Sequence, residues 1–189
     1  MSGGEAMKPT EILKEEHQLV LVMLKIMEAV GVRLDQGRDV GADDLAAIID
    51  FIRTFTDKCH HAKEEKYLFP ALEKAGMPHN DGPIAVMLSE HRLGRTYAGG
   101  MDGALGRMKD GDASHAKTFA ENARGYIQLL INHIDKEEHV LFVMADQLLS
   151  SEAEANLAEG FERVEREETG AGVHEKYHAL LHRLRDAYL

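Results

Sequence analysis

One pattern, H-x-x-K-E-E-x-x-L-F, occurs twice in this sequence, as HHAKEEKYLF at residues 60–69 and as HIDKEEHVLF at residues 133–142. In each copy the histidine and the first glutamate lie four residues apart, so on a helix both side chains project from the same face. The two copies align without a gap. Such self-similarity indicates a duplicated structural unit, and we expect two halves related by a pseudo-twofold axis.

A shorter motif, E-H, precedes each copy, at Glu16-His17 and at Glu90-His91. The histidine of the first E-H lies 43 residues before the first copy of the long pattern, and the second lies 42 residues before the second copy. These nearly equal separations favour two helical hairpins. Each hairpin would carry E-H on its first helix and the long pattern on its second.

Apolar residues at helical spacing predict four amphipathic helices around these motifs. The first starts near Thr10, the second near Asp43, the third after the breaker Asn80–Pro83, and the fourth around Asp112 or Ser114. The predicted inner face of the fourth helix is Phe119, Ala123, Tyr126, Leu130, His133, Glu137, Val140, Met144 and Leu148. Because short loops join antiparallel neighbours, the fold class is all-α, an up-down-up-down four-helix bundle over residues 10–149.

Segments outside the bundle are short. Residues 1–9 are expected to be a flexible N-terminus, and residues 150–189 a C-terminal helical extension packed on the bundle. Within this extension an acidic, weakly patterned stretch leads to Thr169–Gly172, and a last helix is predicted from Val173 to Tyr188.

Composition excludes several classes of protein. The 189 residues are 44% hydrophobic, 29% charged and 6% aromatic, which is typical of a folded helical domain. A net charge of -11 makes nucleic acid and anionic membrane surfaces poor partners. No apolar run approaches the ~20 residues of a membrane span, no signal-peptide pattern is present, and the single Cys59 rules out an internal disulfide. We therefore expect a cytoplasmic protein, with its oligomeric state left open.

Six polar residues interrupt the predicted inner faces: His17, His60, Glu64, His91, His133 and Glu137. Buried imidazoles and carboxylates are costly unless they are paired or bind a metal. Counting residues from the predicted turns places all six within about one helical turn of a common level. One layer could then hold two ions, with four imidazoles shared between them and two bridging carboxylates. The competing interpretation is a metal-free bundle in which these residues only hydrogen-bond to each other.

The donor atoms narrow the choice of metal. Nitrogen and oxygen ligands without sulfur suit iron or manganese, with zinc as an alternative. Six protein ligands for two ions leave open positions for water, dioxygen, peroxide or nitric oxide.

With these motifs, the sequence resembles the hemerythrin-like, or HHE cation-binding, domains over roughly Thr10 to Leu149. The resemblance implies two non-haem iron ions joined by an oxo or hydroxo bridge inside the bundle. Carried over residue by residue, it implies the metal ligands His17, His60, Glu64, His91, His133 and Glu137.

Two positions depart from the oxygen-carrying members of that family. Those have a second histidine one turn after the ligand of the third helix, where this chain has Arg95, and they end with a His and an Asp five residues apart. The set here more closely resembles bacterial proteins implicated in repairing iron centres after nitrosative or oxidative stress. Other members of the family resemble sensors of iron or oxygen, and some remove peroxide. The function predicted is therefore binding of, or reaction with, a small diatomic or peroxide ligand; the alternative is iron storage or delivery, or a metal-binding scaffold without catalysis.

Several nearby residues are assigned other roles. His61 aligns with Ile134 in the repeat, so we expect it to be exposed or to support a ligand rather than to be one. Cys59 is interpreted as a small core residue, and Glu65 and Glu138 as carboxylates that orient imidazoles. The role of Arg95 is left open.

The remaining histidines and tyrosines are favoured to lie outside the site. A row on the last helix is interpreted as a solvated face, with chelation of a surface metal as the alternative that is left open. Tyr67 and Tyr126 are interpreted as packing residues, with hydrogen bonding to a bound oxygen species as the alternative, and three further histidines as surface residues. The row is His174, His178 and His182, and the surface histidines are His79, His115 and His139.

Overall fold

A computed structural model describes residues 7–170 and 172–189 of the chain. Within these ranges all regular structure is helical and no strand occurs, which confirms the all-α prediction. Residues 1–6 of the segment predicted to be flexible lie outside the described residues. No helix in the described ranges is long and apolar enough to cross a membrane.

Four long helices form the predicted up-down-up-down bundle. They are α1 (Pro9–Asp35), α2 (residues 42–74), α3 (Pro83–Lys109) and α4 (residues 115–148). The break before α3 falls at Gly82, whose φ of 93° is readily accessible only to glycine, and Pro83 then occupies the first helical position.

Two of these helices contain π-helical turns. In α2, the α-helical segments Ala42–Phe51 and Phe69–Lys74 flank π-helical turns at Ile52–His61 and Glu64–Leu68. In α4, the π-helical turn Glu137–Leu141 joins His115–Lys136 to Phe142–Leu148. Both copies of the repeated pattern thus contain π turns, which are common at functional sites.

The π turn of α4 changes which residues face the core. Val140 and Leu148 were predicted to face inward, but they are 47% and 45% exposed. Leu141 and Ala145 are buried instead. A π turn closes i→i+5 hydrogen bonds and so holds one more residue than an α turn. The inner face after Glu137 therefore advances by one residue, which the uniform helical spacing of the prediction could not anticipate.

The core consists of two apolar clusters with a polar layer between them. The larger cluster takes residues from all four bundle helices, and so does the smaller one. Members of the larger cluster include Val20, Phe55, Ala98 and Leu130, and members of the smaller include Leu13, Leu68, Met87 and Leu141. Along the sequence of each bundle helix, the predicted ligand residues have members of one cluster before them and members of the other cluster after them. Each fully buried side chain of this kind contributes about 1.5–3 kcal/mol, so the clusters hold the polar layer in place from both sides.

Two further helices, α5 and α6, pack against the bundle. The acidic stretch that was predicted to be weakly patterned is a helix, α5, with an α-helical segment Ser151–Val164 and a π-helical end Glu165–Thr169. It begins at the cap Ser150, whose hydroxyl accepts a hydrogen bond from the backbone N–H of Ala153. The last helix, α6 (Val173–Tyr188), has the predicted bounds.

Buried side chains join both helices to the core. From α5, Leu157 and Phe161 lie in the smaller cluster, and from α6, Tyr177, Leu181 and Leu184 lie in the larger one. The same face of α5 presents Gly160 to the ring of Tyr67 on α2, so closely that a β-carbon at position 160 would overlap the ring.

We expect Gly160→Ala to destabilise the protein by about 1–3 kcal/mol, because the added methyl forces the Tyr67 ring out of its packing position. The matched control is Gly103→Ala on the exposed side of α3, where a β-carbon has no neighbour within 4 Å. That change should stabilise the helix by up to about 1 kcal/mol. Urea unfolding measures both, and equal stability of the two variants would show that α5 does not pack on α2 in this way.

Candidate metal centre

All six sequence-predicted ligands meet in the polar layer. Each side chain is at most 2% exposed: His17, His60, Glu64, His91, His133 and Glu137. One comes from α1, two from α2, one from α3 and two from α4, so the layer ties the four bundle helices together.

A carboxylate lies behind each of the four imidazoles and accepts a hydrogen bond from Nδ1. The pairs are His17 with Glu138 (2.8 Å), His60 with Glu16 (3.0 Å), His91 with Glu65 (2.7 Å) and His133 with Glu90 (3.0 Å). Glu65 and Glu138 thus have the orienting role predicted for them. Glu16 and Glu90 have the same role, which was not assigned to them from the sequence, although the glutamate recurs beside the histidine in both E-H motifs. An Nδ1–H that donates to a carboxylate leaves the Nε2 of a neutral imidazole free to bind a cation.

The Nε2 atoms face each other in two pairs. His17 Nε2 lies 3.0 Å from His60 Nε2, and His91 Nε2 lies 3.2 Å from His133 Nε2. When Nδ1 carries the hydrogen in both rings of a pair, two lone pairs point at each other. Such a contact is favourable only when a proton or a metal ion lies between the nitrogen atoms.

Glu137 and Glu64 lie between the two histidine pairs, and each offers one oxygen to either pair. Glu137 Oε2 is 3.2 Å from His17 Nε2, and its Oε1 is 3.2 Å from His133 Nε2. Glu64 Oε1 is 3.7 Å from His60 Nε2, and its Oε2 is 3.4 Å from His91 Nε2. This geometry is that of two carboxylates bridging two cation positions.

None of the four oxygen atoms of Glu64 and Glu137 makes a hydrogen bond within the described part of the chain, and both side chains are fully buried. A buried carboxylate costs several kcal/mol unless positive charge lies beside it. The four oxygen atoms have only the imidazoles for such neighbours, and their arrangement around two positions fits a pair of metal ions.

The charges of the layer favour cations. Burial lowers the pKa of His17, but the carboxylates of Glu137 and Glu138 outweigh burial and raise it to about 9. For His133 burial again lowers the pKa, while Glu137 and Glu90 raise it to about 10. Burial raises the pKa of Glu137, yet the neighbouring imidazoles bring it well below its usual range. Protons and metal ions therefore compete for the same nitrogen atoms.

The lysine of the repeated pattern has the same role in both halves. Lys63 contacts Glu16, which orients His60, with Nζ 2.5 Å from Oε1. Lys136 donates to Glu90, which orients His133. The halves differ in burial, because Lys63 is fully buried and also contacts Glu165 of α5 at 2.6 Å, whereas the Lys136 side chain is 39% exposed.

His61 is buried at the edge of the polar layer, against His91. It is only 4% exposed, its ring stacks on that of His91 with a centroid distance of 3.8 Å, and its Nε2 has no hydrogen-bond partner within the described residues. Burial and the charge of His91 lower its pKa well below the usual value. Of the two roles predicted for His61, exposure is wrong, because its ring is buried against His91. Support of a neighbouring imidazole stays a prediction.

Arg95 lies outside the layer. Its guanidinium donates to Asp57 Oδ1 at 2.8 Å and to Glu65 Oε1 at 2.9 Å. It therefore holds the carboxylate behind His91 and supplies no ligand where oxygen carriers have a histidine.

The row on the last helix is only partly solvated. His178 and His182 are exposed as predicted, but His174 is half-buried, and its Nε2 lies 3.4 Å from Glu165 Oε1. Its contacts with Cys59 and Glu165 raise its pKa to about 10. His174 was predicted to be solvated because the sequence did not indicate that α5 places Glu165 beside it.

The other residues set aside from the site have varied surroundings. Cys59 and Tyr126 are buried, and Tyr67 packs on α5. Of the three predicted surface histidines, His79 and His139 are exposed, while His115 is half-buried.

Comparison with known proteins gives one family. Residues 8–145 match the family model described as Hemerythrin HHE cation binding domain. Uncharacterized proteins of Mycobacterium bovis and of two Mycobacterium tuberculosis strains are each 28% identical to this chain over 162 residues. The match covers 86% of this chain but only 62% of each relative, so the chain spans less than two thirds of their length. No solved structure matches the chain significantly.

Replacing Glu90 with glutamine should lower the affinity for a bound metal ion about 10–100-fold, because His133 then loses the carboxylate that orients its ring and raises its basicity. The control is Glu121→Gln, an exposed glutamate on α4, whose metal affinity should equal that of the wild type. Competition with a metal chelator measures the affinities. Equal affinity for the two variants would show that the Glu90 contact does not support the ligand.

Replacing Lys63 with methionine should cost about 3–5 kcal/mol of stability, because the buried carboxylate of Glu16 then loses its ammonium partner and keeps only the imidazoles of His60 and His174. Lys66→Met is the matched control. Lys66 also bonds the end of α5, at Glu168, but its side chain is 53% exposed, so its loss should cost at most about 1 kcal/mol. Both values come from chemical denaturation, and a cost for Lys63→Met no larger than that of the control would contradict the charge balance described here.

Proposed function

This chain belongs to the hemerythrin HHE cation-binding family, and we propose that it binds two non-haem iron ions that bind or react with a small ligand. The ligand would be dioxygen, peroxide or nitric oxide, in stress response, sensing or iron-centre repair. The proposed metal ligands are His17, His60, Glu64, His91, His133 and Glu137. The observation that carries the proposal is the arrangement of two imidazole pairs around two shared, buried carboxylates.

The donor set favours iron. Each of the two positions has two imidazoles and one oxygen from each bridging glutamate. Two histidines and a carboxylate with open positions are typical of non-haem iron that meets oxygen species. Bound there, a pair of iron ions would exchange electrons with a small molecule. Manganese and zinc are the alternatives that metal analysis distinguishes.

The protein around the layer limits what can reach it. All six proposed ligands are buried, so a bulky substrate has no access. The cavity beside the layer has a volume of about 310 Å³, and its lining includes Arg53, Asp57, Lys58, His61 and Tyr126. A cavity of this size suits a small molecule.

Burial also weighs against a role in iron delivery. An ion released to a partner would have to leave through one of the two apolar clusters, past the carboxylates behind the imidazoles, or past His61 into the cavity. A site that keeps its metal and admits small molecules fits this structure better than one that transfers metal.

The test is the metal content of protein produced in iron-supplied cells, measured by mass spectrometry. We expect about two irons per chain in the wild type and a large loss in His60→Ala and His133→Ala, with lower stability because metal binding contributes to folding. His139→Ala, an exposed histidine on the same helix as His133, should keep about two irons. Wild-type protein that folds without iron, or full iron in both ligand variants, would refute the proposal.

A further inference from the structure

We propose that Cys59, His174 and Glu165 bind one zinc-type divalent cation at a second metal site, outside the polar layer. The three side chains come from α2, α6 and α5, and they meet around the carboxylate that orients His60. This inference goes beyond the proposed function and does not depend on it, because none of the three residues is among the six proposed ligands of the iron pair.

Distances within the cluster are the first argument. One donor atom from each of Cys59, His174 and Glu165 lies within 4.8 Å of the other two. His174 Nε2 is 3.4 Å from Glu165 Oε1, and two donors about 2.1 Å from a tetrahedral ion are also about 3.4 Å apart. This Nε2 atom is buried, yet it makes no hydrogen bond within the described residues. The cluster therefore has nearly the spread of one coordination sphere.

Sulfur distinguishes this cluster from the polar layer. The layer offers only nitrogen and oxygen atoms, whereas Cys59, which is fully buried, adds a thiol. Zinc binds thiolate, imidazole and carboxylate at about 2.0–2.3 Å, and a thiolate ligand favours zinc over manganese or magnesium. Binding would release the thiol proton and the proton of a charged imidazole to solvent. The two positive charges that the ion brings would then replace two that leave, so the charge of the cluster would not change.

The other half of the protein shows that orienting a ligand does not require these groups. There, Glu90 orients His133 with one lysine as its other contact. Glu16 has the equivalent two contacts in the first half. The position that corresponds to Cys59 in the repeat is Asn132, which is exposed. The thiol, imidazole and carboxylate gathered around Glu16 therefore exceed what its orienting role requires.

Lys63 competes with the ion for only one oxygen of Glu165. Its ammonium contacts Oε1 of Glu16 at 2.5 Å and Oε1 of Glu165 at 2.6 Å. Both oxygen atoms of Glu16 are engaged, one by His60 and one by Lys63, whereas Oε2 of Glu165 is left for the ion. Glu165 is therefore the carboxylate ligand, although Glu16 lies in the same cluster. Lys63 would balance the charge of Glu16, and the ion that of Glu165 and the thiolate.

A second cavity gives a cation access to the cluster. It has a volume of about 670 Å³, and its lining includes both His174 and Glu165. An ion that enters the cavity thus meets two of the three proposed ligands. Four glutamates but only one arginine, Arg166, line this cavity, and such an excess of negative charge in a cleft raises the local concentration of cations. The glutamates are Glu15, Glu162, Glu165 and Glu175.

Cobalt(II) tests the site, because it occupies zinc sites and gives a near-ultraviolet charge-transfer band when a thiolate binds it. The chain has a single cysteine, so such a band can come only from Cys59. Iron-loaded wild-type protein should develop the band in difference spectra and reach its end point at one cobalt per chain. Zinc binds such donors more tightly than cobalt does, so added zinc should remove the band.

Three variants identify the ligands. His174→Ala should lower cobalt affinity by more than the about 10–100-fold that loss of a supporting residue costs, and Cys59→Ser should abolish the band. The matched control is His178→Ala, an exposed histidine one turn further along α6, which should bind cobalt as the wild type does. His174 is only half-buried, so its replacement keeps the test available even if Cys59→Ser does not fold. Both histidine variants should keep the iron content of the wild type.

The outcomes separate the second site from the proposed function. Iron-containing protein that shows no thiolate band with cobalt in large excess would overturn the second site alone. Equal cobalt affinity in His174→Ala and the wild type would also overturn it. Wild-type protein without iron would refute the proposed function instead, and the thiolate band would still report the second site, because no residue of the polar layer carries sulfur.

Discussion

Two carboxylates that are fully buried and make no hydrogen bond in the described residues, Glu64 and Glu137, impose the constraint on which this structure depends. Negative charge in a bundle core is tolerated only beside positive charge. The four imidazoles around them meet that demand with protons or with metal ions, and they require support in turn. The carboxylates behind Nδ1 and the lysines behind two of those carboxylates form successive layers of alternating charge. The repeated H-x-x-K-E-E pattern and the E-H motifs encode these layers, which explains why their charged residues recur together.

The two halves use the same motif but complete it differently. Lys136 reaches solvent, whereas Lys63 is enclosed, with its ammonium between Glu16 and Glu165. The second contact comes from the π-helical end of α5, so the C-terminal extension closes the charge layers around His60 in addition to covering the core. His174 of α6 also lies beside Glu165, with its Nε2 3.4 Å from Oε1. The extension therefore breaks the symmetry of the duplicated hairpins at the outer layers of the first half.

Much of this arrangement could be predicted from the sequence, for identifiable reasons. Helical spacing and short loops determine which residues share a level, so the six polar residues could be placed in one layer before any coordinates were known. Departures from a uniform helix could not be predicted, because apolar spacing does not report whether a turn closes at i+4 or at i+5. That limit accounts for Val140 and Leu148 on the outside of α4. Within the predicted helical extension, α5 was not recognised as a separate helix, because glutamates dilute its inner residues Leu157, Phe161 and Val164.

The internal repeat gives one more argument once burial is known. Because a ligand was expected to recur in both copies, the alignment of His61 with Ile134 was taken to show that His61 is not a metal ligand. Both side chains are buried, however, and a buried imidazole with an unpaired Nε2 costs more than an isoleucine of similar size. Packing alone would thus favour an apolar residue at both places. Positions where the copies agree indicate what the polar layer needs to form, whereas a buried position where the copies differ, such as His61 and Ile134, shows where the two halves pack differently around that layer.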